Sequence, residues 1–144
     1  MRPRLLLIAA LTLAGTGWAG SRMTVRDASG GVVGRIDPDG TVRARSGSRV
    51  GAIDPRGEVR DRSGSSAGRV QADGTVRDRS GSRIGRVDAD GALRDAAGSN
   101  RGRLDGCTVR NRSGSRTGSF DGCTPADHLT MAAYLFLFER LHEG

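Results

Sequence analysis

Few residue types in this chain of 144 residues could do chemistry: 23 basic residues, every one Arg, 16 acids, two Cys, two His and many Ser. Catalysis needs a positioned acid, base or nucleophile. His128 and His142 lie in or beside one apolar stretch near the C-terminus, and the serines sit next to glycines, where a tight turn already accounts for them. No Ser-His-acid set and no Gly-rich phosphate motif is present. The expectation is a non-enzymatic protein with no catalytic residue and no cofactor.

Three other groupings remain. The Asp-x-Asp-Gly runs at Asp37–Gly40 and Asp88–Gly91 invite a calcium reading, since paired carboxylates suit a hard cation. Elsewhere the same place reads Asp54-Pro55-Arg56-Gly57 or Gln71-Ala72-Asp73-Gly74, keeping the Gly and losing a carboxylate, so a plain turn is expected and no metal site. Arg recurs on the intervening segments, as at Arg77, Arg79 and Arg86. These are candidate anion-binding residues, because guanidinium forks match phosphate and sulfate. The bland account is a solvated, charge-laced face in which they pair with Asp78 and Asp88. Aromatic residues, at 3%, are too scarce to stack bases, so nucleic acid is not an expected partner; anionic glycan or lipid head groups are the alternative. Finally, Cys107 and Cys123 end two consecutive Asp-Gly-Cys runs and are a candidate disulfide.

These residues are carried by a repeat. Residues 24–40, 41–57, 58–74 and 75–91 align without a gap, and 92–107 and 108–123 follow, each one residue shorter in its last turn. Each unit holds two turn signals, a Ser-Gly as at Ser80-Gly81 and an Asp-Gly as at Asp90-Gly91, with Ala97-Gly98 standing for the first in the fifth unit and Arg56-Gly57 for the second in the second unit. The segments between them alternate apolar and polar residues with the period of a half-buried strand, and Gly recurs too often for a helix. Each unit therefore reads as a β-hairpin, in a meander of about twelve strands. The second position is apolar throughout (Val25, Val42, Val59, Val76, Leu93, Val109), as is the thirteenth (Ile36, Ile53, Val70, Val87, Leu104, Phe120). Pairing around the Ser-Gly turn sets these two opposite each other. It also sets the fourth-position Asp opposite a glycine (Gly34, Gly51, Gly68, Gly85, Gly102, Gly118), where a bulge or a close backbone approach is expected.

Twelve apolar positions are a thin core for about 100 residues, and the C-terminal segment 124–144 is the candidate to complete it. Thr124-Pro125-Ala126-Asp127 reads as a helix start. The run through Met131, Tyr134, Leu135, Phe136, Leu137 and Phe138 is apolar nearly all round, so it is expected to be buried, as a helix or as a strand over 133–138.

At the other end, Arg2 and Arg4 followed by the apolar Leu5–Gly15 and the small residues of Gly17-Trp18-Ala19 read as a secretory signal over 1–19, cleaved near Ala19, with 20–23 as a linker. An uncleaved anchor is the rival, although the apolar run is short of the ~20 residues a spanning helix needs. Cleavage takes the formal charge from +7 to +5. Export to the periplasm, cell surface or medium also supplies the oxidising setting for the Cys107–Cys123 bridge. Equivalent points on neighbouring hairpins of a flat sheet lie ~9.6 Å apart, so that bridge requires the two Asp-Gly turns to converge.

The alternation of a Val-x-Asp-x-x-Gly strand with a Gly-x-Ile-Asp-x-Asp-Gly strand over residues 24–138, ending in an aromatic-rich tail, resembles the β-flower proteins. That resemblance implies hairpins radiating from a shallow, closed, symmetric barrel, and it implies no activity. The chain departs from the pattern in having six units where four or five are usual, and in its paired cysteines. The fold class expected is all-β, a ring or shallow barrel of about six hairpins with an apolar C-terminal plug. The function expected is that of an exported structural or scaffold module of the cell envelope, with binding of anionic envelope polymers through an Arg-rich outer face as the alternative.

Overall fold

A computed structural model describes residues 22–139; the signal-peptide and cleavage assignments fall outside the described residues. Twelve antiparallel strands form one closed barrel in simple up-and-down order. They are β1 (Met23–Asp27), β2 (Val32–Ile36), β3 (Thr41–Ala44), β4 (Arg49–Ile53), β5 (Glu58–Asp61), β6 (Ser66–Val70), β7 (Thr75–Asp78), β8 (Arg83–Val87), β9 (Ala92–Asp95), β10 (Asn100–Asp105), β11 (Thr108–Arg110) and β12 (Arg116–Asp121). β1 pairs with β12, so no strand edge is left open. Met23, assigned to the linker by sequence, is instead the first residue of β1, opposite Ile36, and fully buried.

Both turns of the unit are built alike. Asp27 N–H donates to Gly31 O and Gly30 N–H to Asp27 O; Asp37 N–H donates to Thr41 O and Gly40 N–H to Asp37 O. This is the three-residue hairpin whose last turn residue is left-handed, a place that Gly40 and Gly47 fill at φ of 93° and 95°.

The core positions are those expected, but their pairing is not. Val25 stands opposite Gly34 across the Ser-Gly turn, and Ile36 stands opposite Val42 across the Asp-Gly turn. A bulge before each glycine, between the Val25–Gly34 and Arg26–Val32 pairs in the first unit, produces this offset. The glycine therefore meets the fourth position of the next unit and not that of its own; this partner is an Asp in Gly51↔Asp61, Gly68↔Asp78, Gly85↔Asp95 and Gly118↔Asp27 and an alanine in Gly34↔Ala44. All six glycines are buried.

The C-terminal segment is helical, not a strand. Thr124 N–H and Oγ1 donate to Asp127 Oδ2 at 2.8 and 3.1 Å, and the chain turns through a 3-10 turn (Pro125–Asp127) into α1 (His128–Ala133). A wider π-helical turn, Tyr134–Phe138, follows, in which Glu139 N–H reaches back to Tyr134 O. Met131 to Phe136 are buried in the same cluster as the barrel's aliphatic residues. Among the described residues, no helix is long and apolar enough to cross a membrane.

Candidate functional site

The outward face is organised by its arginines. The third position of all six units (Arg26, Arg43, Arg60, Arg77, Arg94, Arg110) donates Nη1 to the carbonyl of the glycine four residues on, closing the first turn of its own unit at 2.9–3.1 Å. The same turn is held from the other side by the fourth residue. Asp78 Oδ1 accepts from Ser80 N–H, Ser80 Oγ and Ser82 N–H, and the Ser80 hydroxyl is foremost in holding its carboxyl below the usual range. Asp78 is thus a turn acceptor, and the expected Arg–Asp78 pairing is not the role it takes.

In five of the six units, Nε of the third-position Arg donates to the residue at the fourteenth position of the preceding unit. Across the Asp-Gly turn the twelfth-position Arg stands beside it, as in Arg35↔Arg43, Arg69↔Arg77, Arg86↔Arg94 and Arg103↔Arg110. Asp37 lies between the first pair, accepting from Arg35 Nε at 3.0 Å and Arg43 Nε at 2.8 Å. Asp88 does the same for Arg86 and Arg94 at 2.7 and 2.8 Å. Both carboxyls are held below their ordinary pKa, Asp37 chiefly by Arg43 and Asp88 chiefly by Arg94. Asp105 contacts Arg110 at 3.3 Å, and Asp121 contacts Arg26 at 2.6 Å across the closure of the barrel. The Arg69–Arg77 pair is different. Its bridging position holds Gln71, whose Oε1 accepts from Arg77 Nε at 2.8 Å.

The three candidate anion-binding residues therefore have different situations. Arg77 is tied to Gln71 and Gly81, and Arg86 to Asp88. Arg79 is 67% exposed, with Asp61 at 3.7 Å as its carboxylate neighbour. Arg77 and Arg79 line one open cleft of about 430 Å³ together with Arg69, a residue sequence reasoning did not single out. The signal that could have found it is the single Gln among the fourteenth-position residues.

The carboxylates proposed above for calcium have other work: Asp37 and Asp88 bridge arginines, while Asp39 Oδ1 accepts from Thr41 N–H. Among the described residues no group of three or more His, Cys, Asp or Glu converges.

At the Asp-Gly end, a groove of about 780 Å³ runs between these turns and the plug, bordered by Asp88, Gly91, Cys107, Cys123, His128 and Met131. Cys107 and Cys123 are joined in a disulfide with Cα atoms 5.8 Å apart. The shortened turns thus do converge beyond what a flat sheet permits. His128 Nε2 lies 3.3 Å from the Asp88 carbonyl oxygen, which ties the start of the plug to a turn.

A closed meander of near-identical hairpins, with a ring of small inward glycines and a helical plug from its own C-terminus, is a plugged repeat barrel. The family model described as 5-fold beta-flower protein matches residues 22–139, and the chain belongs to this β-flower family. Comparison with curated proteins and with solved structures gives no match.

Proposed function

We propose that the protein is an exported, non-catalytic structural module of the cell envelope. What supports this is the use to which its polar side chains are put. The six third-position arginines close the first turn of all six units, and the bridging acids tie one hairpin to the next. With the interior filled by the chain's own C-terminus, the result is a platform whose twelve strands are joined by eleven turns, six at one end of the barrel and five at the other. N-terminal sequencing of the protein from its native host tests export. The expected first residue is Gly20, and an intact Met1 in the extracellular or envelope fraction would overturn the cleavage.

A second reading, binding of an anionic glycan or lipid surface, is favoured by the exposure of Arg79 and by the neutral Gln71 in place of an acid at the Arg69–Arg77 pair. Retention on a heparin column separates the two. A scaffold elutes early, whereas a polyanion binder is retained at low salt and released steeply as salt rises, because surface charge pairs are screened.

A further inference from the structure

We propose that the cleft lined by Arg69, Arg77 and Arg79 is a binding site for a phosphate group, drawn by an Arg pair that, unlike those at two neighbouring junctions, shares no protein carboxylate. The barrel supplies its own controls. At two junctions, the Arg pair flanking an Asp-Gly turn shares one carboxylate, with both Nε atoms within 3.0 Å of Asp37 or Asp88. At the Arg69–Arg77 junction the register is the same, since these residues are direct cross-strand partners, but the bridging residue is the neutral Gln71. Like charges set opposite each other on neighbouring strands destabilise a sheet. Gln71 occupies Arg77 Nε only. Arg69 is exposed and has no ion pair within 4 Å among the described residues. Glu58, the cross-strand partner of Arg69 on its other side, and Asp78 also border the cleft, and Asp61 stands 3.7 Å from Arg79. Asp78 is committed to the turn.

The geometry favours phosphate over a carboxylate ligand. A carboxylate has two oxygens and satisfies two arginines, as Asp37 does. Here a third, Arg79, lies on the same cleft, and a tetrahedral oxyanion has an oxygen for each fork. This deepens the anion-binding reading given above, though a local site of this kind does not need a polymer.

The test is a titration of the folded, disulfide-bonded protein with inorganic phosphate at constant ionic strength, followed by the Nε–Hε signals of its arginines in ¹H–¹⁵N spectra. Saturable shifts are expected at Arg69, Arg77 and Arg79, and not at Arg35, Arg43, Arg86 or Arg94. Acetate should bind more weakly. Arg69→Gln should weaken phosphate binding about tenfold or more, the loss of one charge-assisted hydrogen bond. Gln71→Asp should abolish it by supplying the missing carboxylate, and Asp88→Gln should create a second saturable site at Arg86 and Arg94. Each variant alters the outer face only, and unchanged circular dichroism checks its fold. Shifts that spread evenly over all arginines without saturating, or a Gln71→Asp variant that binds as the parent does, would overturn the site. Early elution from heparin combined with a working phosphate titration would instead remove the polymer reading and leave the site standing.

Discussion

A methyl group added at Gly85 tests whether the ring of buried glycines makes room for the plug or only for the sheet. A Cβ at Gly85 would stand 2.8 Å from Phe136 Cζ and 2.7 Å from the Arg94 carbonyl oxygen, and would overlap Phe136 Cε1. At Gly118 the three atoms nearest the same Cβ are all sheet backbone, with the Arg26 carbonyl oxygen at 2.5 Å. Neither glycine has a positive φ, so the backbone itself can accept alanine. Overpacking of this kind costs ~1–3 kcal/mol, and Gly85→Ala and Gly118→Ala should each fall in that range. Phe136→Leu, which trims a fully buried ring, should cost about 1–1.5 kcal/mol alone. Combined with Gly85→Ala it removes the overlapping ring edge, so the double variant should be more stable than the sum of the singles by ~0.5–1.5 kcal/mol. Combined with Gly118→Ala it should be additive within ~0.5 kcal/mol. The assay is urea unfolding, reading midpoints at constant m. Equal coupling at both glycines, or none at Gly85, would refute the assignment of Gly85 as a socket for Phe136.

Three further outcomes follow from the same contacts. Deleting residues 124–144 removes the buried Met131–Phe136, and should leave an aggregating or unfolded barrel, read by loss of β circular dichroism and by light scattering. Reducing Cys107–Cys123, which lie 16 residues apart, should lower unfolding free energy by roughly 3 kcal/mol in urea; two free thiols in non-reducing mass spectra of the secreted protein would refute the bridge. Asp37 and Asp88 have folded pKa values depressed by Arg43 and Arg94, so their stabilisation is complete above the unfolded value near ~3.9 and is lost as pH falls through the folded values. Stability should fall in acid, and an Asp37→Asn, Asp88→Asn variant should show a shallower acid limb.

The inward positions could be read from the sequence because aliphatic residues recur there in every unit and alternation places them on one face. The register could not. The bulge beside the sheet glycines, at Val33 in the first unit, adds one residue that alternation does not count, and it turned a Val–Ile pairing into Val–Gly on one side and Ile–Val on the other. A signal was present in the spacing. Asp27-x-x-Gly30 and Asp37-x-x-Gly40 are the same turn, so the Asp at the fourth position belongs to the turn, as the Ser29 and Gly31 N–H bonds to Asp27 show. The plug's conformation was ambiguous because an apolar run of about a dozen residues has no polar face to set its period. The capping residues Thr124 and Asp127 decided it locally. The outer face was the hardest to read. Its arginines look alike in sequence, and only cross-strand pairing separates Arg86, which shares Asp88 with its partner, from Arg69, whose partner Arg77 is bonded to Gln71 instead.

The number of hairpins and the shape of the plug are linked by volume. The family is described as five-fold, and this chain closes twelve strands. Barrel width grows with strand number, and interiors are filled to close packing, so an added hairpin creates space that the repeated Val and Ile positions cannot occupy. A six-fold ring offers six equivalent walls, whereas one helix can present different side chains only in turn. The wide final turn spreads Tyr134, Phe138, Leu137 and Phe136 against Gly34, Gly51, Gly68 and Gly85 respectively, which serves four walls. At the other two glycines, Gly102 and Gly118, the nearest atoms are those of the strand backbone, Arg110 and Asn111 at the first and Arg26 and Asp27 at the second. Next to Gly118 in chain order the sixth unit carries Phe120 where the other units have Ile, Val or Leu, and its ring packs edge-on to Tyr134 with centroids 5.6 Å apart. The symmetric backbone is thus reconciled with an asymmetric filling by one large residue in the last repeat. The disulfide stands at the same side of the barrel, where β12 hands over to the plug, so the departures from perfect repetition gather where the ring must also accommodate its own C-terminus.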